Sequence, residues 1–299
     1  MTPAADPTRR TDQALQRLLS WPALVFVVLF FVAPLLLLLR VSFYEGGGRS
    51  GFGIGGMYIP NTWTLSAYTK LFADSYFTEL LTFTFKLGIY AATISVVLGY
   101  ALALLIRPLS GGFRLLAMSA VFLPKLANVL VIVYGLELLL GDFGAVNKLL
   151  APLNTTGSPI ALLHNFTGTL IGEVYLILPY AVLLLVAALD RIPPLLVPAA
   201  RGLGMGPLAT FLKITLPLTM PTLIVTYLLC LIFGIGAFVA PAILGSPDEF
   251  TLSVDIQRQA FENLNWPRAA AESVMMLICV TALCVTYGVG TAAAKRLRP

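Results

Sequence analysis

The chain has 299 residues, of which 58% are hydrophobic and 11% are charged, and its formal net charge is +5. A mean hydropathy of +0.90 leaves too little polar surface to cover a domain in water, which excludes a soluble globular protein. The basic residues are spread over the ends of apolar runs instead of gathering on one surface, so the charge does not indicate nucleic-acid binding.

Apolar runs of roughly 20 residues, the length that crosses the hydrocarbon core of a bilayer as a helix, recur along the whole chain. They lie at about 21–42, 79–106, 115–140, 166–189, 218–243 and 270–294. The sequence therefore predicts an all-α membrane protein of about six spans, with a membrane domain over residues 21–294 and short tails at 1–20 and 295–299. We expect the first run to stay as an anchor, because no small-residue cleavage site follows it.

The positions of Lys and Arg predict which helix ends face the cytosol. Basic residues lie in the N-terminal tail, in the loops at 107–114 and 191–213, and in the C-terminal tail. The loops on the opposite side hold half of the 14 acidic residues and fewer basic ones. The sequence therefore predicts that both termini are cytosolic.

The segment between the first two runs is rich in glycine over residues 46–56, which is typical of irregular backbone. Further along, Thr64 precedes a stretch that ends at Phe72. A threonine hydroxyl can accept a hydrogen bond from the first free N–H groups of a helix. We therefore expect a short helix here, capped by Thr64.

Ionisable residues lie inside the predicted spans at Lys86, Lys125, Glu137 and Glu173. Such a group costs about 2.5–3.5 kcal/mol at the centre of a span unless it is paired or faces water. Each is a candidate for the path of a solute or for an ion pair between helices, and the sequence leaves both open. Lys125 would repel a polycation and attract an anionic or zwitterionic solute.

Aromatic residues near these charges, Tyr134, Tyr175 and Tyr180, offer ring faces to a cation. Of these, Tyr134 and Tyr175 join Lys125, Glu137 and Glu173 as candidates for the solute path. Helix-breaking residues occur as well, at Gly234, Gly236 and Pro241. They can mark a gate where a helix bends. Close helix packing is the alternative, and the sequence does not decide between the two.

A polar interruption at residues 190–217 separates the fourth and fifth runs. Within it we expect a short helix over 193–206, because Pro198 is tolerated near a helix start and Gly204 can end a helix with positive φ. Pro207 can then open the next helix. The loop lies on the predicted cytosolic side.

The same loop resembles the signature of the inner-membrane permease subunits of binding-protein-dependent ABC importers. That signature reads Glu-Ala-Ala, three residues, Gly, nine residues, Ile, one residue, Leu-Pro. Its positions are filled here by Ala199, Ala200, Gly204, Ile214, Leu216 and Pro217, while Pro198 stands where the family usually has Glu.

Other segments are similar to the spermidine/putrescine-type permeases, and the long first outer loop resembles the first of their two permease types. These segments are Phe122-Leu123-Pro124, 144–150, Leu178-Pro179-Tyr180 and 240–245. One departure lies between Lys125 and Glu137, where this chain lacks the Arg and Trp that many relatives carry.

The resemblance implies a type I ABC importer permease in the bacterial inner membrane, with a second and different permease subunit, two ATPase subunits and an extracytosolic binding protein as partners. ATP and Mg²⁺ would bind the ATPases, and this chain would hold no cofactor and no metal. The ATPases would dock on Pro198, Ala199, Ala200, Gly204, Ile214, Leu216 and Pro217. The implied solute is of polyamine type, with aminophosphonates, other small amines and ferric iron as alternatives.

The sequence itself contains no G-x-x-x-x-G-K-[ST] run, so it has no P-loop for ATP. An ion-coupled secondary transporter that relays protons through Glu137 and Glu173 is a second interpretation, although the inverted repeats typical of such proteins are not evident. An intramembrane enzyme is a third. It is disfavoured because the one histidine, His164, belongs to no H-E-x-x-H sequence, and no G-x-S-x-G is present.

Overall fold

The computed structural model describes residues 21–22, 24–46, 58–59, 62–153, 159–246 and 249–296, with the side chains of 291–296 left out. The expected tail over 1–20 lies outside the described residues, as do residues 297–299 of the expected C-terminal tail.

Helices dominate the described chain because its apolar runs must satisfy their backbone hydrogen bonds internally. The helices are α1 Leu24–Val41, α2 Ser66–Ala73, α3 Ser75–Ile106, α4 Gly111–Phe122, α5 Val129–Leu140, α6 Ala145–Leu150, α7 Phe166–Asp190, α8 Leu196–Gly202, α9 Pro207–Ile235, α10 Val239–Leu244, α11 Leu252–Phe261 and α12 Trp266–Arg296. Two short strands, β1 Glu45–Gly46 and β2 Tyr58–Ile59, pair antiparallel, with Glu45 opposite Ile59.

Six helical stretches among the described residues are long and apolar enough to cross a membrane. They are Leu24–Val41, Ser75–Ile106, Val129–Leu150, Phe166–Asp190, Pro207–Ile235 and Trp266–Gly290. The predicted all-α class with about six spans is therefore confirmed. The third and fifth stretches do not have the predicted bounds.

The chain divides into two compact units, residues 1–73 with 258–275 and residues 74–257 with 276–299. In the first unit, the buried Ser42 hydroxyl shares a 2.7 Å hydrogen bond with the Tyr68 hydroxyl of α2. Thr64 Oγ1 accepts a 2.8 Å hydrogen bond from the Ser66 N–H. The short capped helix predicted after Thr64 is thus present, and it runs from Ser66 to Ala73.

In the second unit, α3 packs most extensively against α7 and α9. A close approach joins Gly88 of α3 and Gly234 of α9, where a Cβ placed on Gly234 would lie 2.8 Å from the Gly88 Cα. Small residues let membrane helices approach closely and gain dispersion contacts. Gly234 therefore allows close helix packing, and its role as a gate stays a prediction.

The third predicted span, 115–140, is not one helix. Helix α4 ends at Phe122, a single 3₁₀ turn follows over Leu123–Leu126, and α5 begins at Val129. Pro124 has no N–H to donate to the preceding turn. Asn128 then starts a new helix by accepting a 2.9 Å hydrogen bond from the Leu130 N–H through its side chain.

The fifth predicted span, 218–243, is wrong at both ends. Helix α9 begins earlier, at Pro207, and ends at Ile235, while α10 begins at Val239. Pro241 cannot donate to the Ala237 carbonyl four residues before it. That carbonyl instead accepts a 2.8 Å hydrogen bond from the buried Thr251 hydroxyl, which stabilises the interruption.

Candidate functional site

The loop between α7 and α9 contains α8, which spans Leu196–Gly202 and is shorter than the predicted 193–206 helix. Pro193 and Pro194 precede it in a turn that the Leu196 N–H closes on the Pro193 carbonyl. Pro198 is its third residue, in the first turn, where the N–H groups lack intrahelical acceptors. The predicted position of Pro198 near a helix start is therefore confirmed.

Gly204 ends this helix with φ of +85°, as the sequence predicts. The Met205 N–H then bonds back to the Ala200 carbonyl over 3.1 Å, which satisfies a carbonyl that the last helical turn leaves free. A Cβ on Gly204 would meet nothing within 4 Å. The requirement for glycine here is conformational and not steric.

Large apolar side chains flank α8 and are left exposed. Leu195 is 78% exposed, Leu203 87% and Leu208, in the first turn of α9, 70%. Of the signature residues, Ala200 is buried, Ile214 and Leu216 are half-buried, and Pro198, Ala199, Gly204 and Pro217 are exposed. A group of exposed leucines next to a short helix is typical of a surface that another molecule covers.

The start of α9 widens into a π turn over Phe211–Thr215, in which the Leu216 N–H bonds to the Phe211 carbonyl. Pro217 follows at once. Its ring would clash with the carbonyl four residues earlier, on Lys213, in a regular helix, and the wider turn relieves that clash. The Ile-x-Leu-Pro part of the signature thus lies on a π turn, a feature common at functional sites.

A buried hydrogen bond connects this turn to α3. The Tyr100 and Thr219 hydroxyls are 2.7 Å apart, and the Tyr100 ring packs edge-on against Phe211 at 5.8 Å between centroids. Near the same loop, Arg114 of α4 forms an ion pair with Asp190 at the end of α7. Contacts with α3 and α4 therefore fix the two ends of the loop to the rest of the second unit.

The two interruptions found in the overall fold meet at a second site. A cavity of about 220 Å³ is lined from α7, from the turn after α4 and from the break between α9 and α10. Irregular backbone at membrane depth is tolerated where it lines such a cavity. The residues that line this cavity include Lys125, Glu173, Tyr180, Phe233, Gly236 and Phe238.

Lys125 is held firmly in this cavity. Its Nζ donates a 3.1 Å hydrogen bond to the Leu176 carbonyl and lies 4.9 Å from the centroid of the Tyr180 ring. Phe233 stacks on that ring at 5.1 Å. The carbonyl and the two stacked rings form a site for an ammonium group.

Glu173 lines the same cavity and is 5% exposed. In the described part of the chain its carboxylate has no hydrogen-bond or ion-pair partner. Lys125 lines the same cavity, but its ammonium bonds to the Leu176 carbonyl and forms no ion pair with Glu173. The structure thus brings Lys125 and Glu173 to the lining of one cavity.

The other sequence candidates lie elsewhere. Tyr175 is 40% exposed and lines a neighbouring apolar cavity of about 210 Å³ together with Lys125. Glu137 and Tyr134 are not among the residues that line either cavity. Lys86 lies 4.7 Å from the Phe166 ring.

Sequence reasoning did not single out Phe233 or Phe238, which line the cavity beside Gly236. The only sequence feature that could have indicated them is the nearby pair Gly234 and Gly236, which marks the end of the helix. Gly236 and Pro241 do sit at the interruption, and their role as a gate stays a prediction.

A family model described as binding-protein-dependent transport system inner membrane component matches residues 87–298. The chain belongs to this family. As a permease subunit of a binding-protein-dependent ABC importer, it is a multi-pass protein of the inner membrane. The function and location expected from the loop signature are confirmed.

Curated relatives cover nearly the whole permease. It is 29% identical over 262 residues to the spermidine/putrescine transport system permease protein PotB of Escherichia coli (strain K12), covering 88% of this chain and 92% of the relative. PotB of Haemophilus influenzae is 29% identical over 267 residues, covering 89% and 91%. The sn-glycerol-3-phosphate transport system permease protein UgpA of Shigella dysenteriae is 26% identical over 283 residues, covering 91% and 92%.

Solved structures share the fold of the permease. A bacterial ABC transporter involved in import of the acidic polysaccharide alginate matches with a TM-score of 0.73 at 17% identity, over 97% of this chain and 98% of that one. The MetNI methionine ABC transporter in an inward-facing conformation matches with a TM-score of 0.57 at 14% identity, over 72% and 94%. These matches confirm the expected importer-permease architecture.

Proposed function

We propose that the permease passes a small amine-bearing solute of polyamine type from an extracytosolic binding protein to the cytosol, driven by separate ATPase subunits. The observation that carries this proposal is α8, a short helix ended by Gly204 and flanked by exposed leucines in the loop that bears the importer signature. The solute class is supported by relatives named for spermidine and putrescine and by the buried carboxylate and aromatic rings of the cavity.

The exposed leucines are the surface on which an ATPase would dock. With Leu195 and Leu203 mostly exposed, a groove on the ATPase could bury α8 as a helix laid into an apolar groove. Pro198 in place of the usual Glu removes a charged contact, so apolar burial would carry the docking here. Pro198, Ala199, Ala200, Gly204, Ile214, Leu216 and Pro217 are the proposed contact residues and their support.

The remaining partners follow from the same assignment. The complete importer would contain a second, different permease subunit and two ATPases that hold ATP and Mg²⁺, while this chain holds neither metal nor cofactor. The 190–217 loop and both termini would lie in the cytosol. Closure of the ATPases on nucleotide would rock the spans between outward-open and inward-open states.

The test is the ATPase activity of the reconstituted importer with its binding protein, measured with putrescine, spermidine, an aminophosphonate and ferric iron. We expect putrescine or spermidine to stimulate hydrolysis. Stimulation by the aminophosphonate or ferric iron alone would overturn the solute class. Uptake that needs no ATPase and collapses with an ion gradient would overturn the importer mechanism.

Matched valine substitutions test the docking loop. Gly204→Val places a β-branched residue at φ of +85°, where the strain is about 1–3 kcal/mol, so we expect stimulated hydrolysis and uptake to fall together. Gly206→Val is the control, because Gly206 also has open space around it and its φ is −65°. Equal effects of both variants would contradict the assigned role of the turn.

A further inference from the structure

We infer that the cavity is a diamine-binding site in which Lys125 occupies one ammonium position, so that one amine of the solute pairs with Glu173 and the other displaces the Lys125 ammonium. The inference rests on the proposed function, in that it takes the solute to be an amine. Beyond the proposed function, it names the residues that bind the solute and assigns the Lys125 ammonium as a competitor for one of its amine positions.

The first ammonium position is the one that the Lys125 ammonium occupies. Lys125 Nζ is bound by the Leu176 carbonyl at 3.1 Å and by the face of Tyr180 at 4.9 Å. A lysine side chain ends in a primary ammonium on an alkyl chain, the same group that ends putrescine. A position that holds one alkylammonium by a carbonyl and a ring face can therefore hold another.

The second position is defined by the Glu173 carboxylate, which has no hydrogen-bond or ion-pair partner among the described residues. Glu173 is 5% exposed, and a carboxylate taken out of water is costly unless it is paired. Lys125 lines the same cavity, yet its ammonium bonds to Leu176 instead of Glu173. The carboxylate is thus left for a cation from outside the chain.

The space between the two positions favours a ligand with two amines. If Lys125 served only to neutralise Glu173, the two side chains would be expected to close into an ion pair. They instead line a cavity of about 220 Å³. A diamine in this cavity can present one amine to the Glu173 carboxylate and the other to the Tyr180 ring, because both residues line it.

A tethered competitor weakens binding and speeds release. An ammonium fixed to the wall of the site competes at an effective concentration on the order of millimolar. The solute must displace it to bind with both amines, and its return helps to expel the solute. Such low retention suits a permease that receives its solute from a binding protein and must let it go.

The experiment compares three variants of the complete importer, using equilibrium binding of radiolabelled putrescine without binding protein and uptake kinetics with it. Lys125→Met removes the competing charge at similar length, and we expect putrescine to bind about 10-fold more tightly, with a lower KM and a lower maximal uptake rate. Glu173→Gln keeps the shape but removes the charge, and we expect binding to weaken about 10- to 100-fold.

Lys86→Met is the matched control. Its ammonium also lies over a ring, 4.7 Å from Phe166, but Lys86 is not among the residues that line the cavity. We expect putrescine binding by this variant to equal that of the unmodified importer. A similar gain in affinity from both lysine variants would overturn the inference, because the gain would then come from a lower overall positive charge.

Two other results would also overturn it. Weaker binding in Lys125→Met would show that Lys125 contacts the solute directly, as expected for a zwitterion with an anionic group. Unchanged binding would show that Lys125 does not compete. An unmodified importer that neither binds nor transports any amine would instead sink the proposed function, and the inference with it.

Discussion

Two glycines at the end of α9, two residues apart, belong to regions that are stabilised in different ways. Gly234 touches the backbone of α3 at Gly88, in the part of the second unit where three long helices pack side by side. Gly236 lies where α9 stops and lines the cavity. At Gly234 the small residue allows close packing. At Gly236 the intrahelical hydrogen bonds end, and side chains such as Thr251 bond the backbone instead. The scaffold thus depends on shape and the site on polar partners.

The largest effect is expected from filling the close approach. Gly234→Leu would force α3 and α9 apart, because even a Cβ would lie 2.8 Å from the Gly88 Cα, and overpacking of this kind costs up to about 3 kcal/mol. Thermal unfolding of the purified permease measures the loss. Gly236→Leu is the matched comparison, and we expect a smaller loss, because its Cβ would lie 3.3 Å from the Ile232 carbonyl oxygen, a tight contact but not one with the backbone of a second helix. An equal loss from both variants would erase the contrast between the two regions.

The next largest effect is expected from removing the hydrogen bond between Thr251 and the Ala237 carbonyl beside the cavity. Thr251→Val keeps the side-chain shape but removes the hydroxyl that donates to the Ala237 carbonyl. Leaving a buried carbonyl unsatisfied costs about 2 kcal/mol. We expect a lower unfolding temperature and slower uptake, since the break beside Gly236 lines the cavity. Thr251→Ser, which retains the hydroxyl, should recover most of both, and failure to do so would point to packing instead.

A smaller loss is expected at the other interruption. Asn128→Ala removes the side-chain acceptor of the Leu130 N–H at the start of α5, and loss of such a cap costs about 1 kcal/mol. Asn128→Asp keeps the acceptor and serves as the comparison. Unfolding temperatures of the two variants measure the difference, and equal values would mean that the break after α4 does not depend on this cap.

The smallest effect is expected at the ion pair between Arg114 and Asp190. Both side chains are partly exposed, at 35% and 41%, and such pairs contribute about 0.2–1 kcal/mol. Arg114→Gln should lower the unfolding temperature by only a degree or two, and less in high salt. A loss comparable with that of Gly234→Leu would show that the ends of α4 and α7 belong to the scaffold.

The spans could be predicted from the sequence because length and hydropathy suffice for them, but the interruptions could not. Pro179 lies inside the continuous helix α7, whereas Pro124 and Pro241 accompany breaks. The prolines alone look alike. A break also needs a group elsewhere in the chain that bonds the backbone carbonyl left without a donor, as Thr251 does for Ala237. A single sequence does not reveal that contact.

The candidate site was partly predictable for a similar reason. Lys125 and Glu173 stand out in any apolar run because charge is costly there. Glu137 stands out by the same rule, but it is not among the residues that line the cavity. The Leu176 carbonyl has no sequence signal, because every residue carries one, and only the fold aims it at Lys125.

Helix α9 runs without a break through 29 residues, so at a rise of 1.5 Å per residue it is a rod roughly 43 Å long. One end adjoins the loop that carries α8, and the other ends beside the cavity at Gly236. A tilt of roughly 5° about either end moves the opposite end by roughly 4 Å, close to the width of one methylene chain. A lever of this length would turn a slight rotation at the loop into a displacement about as wide as an alkyl chain.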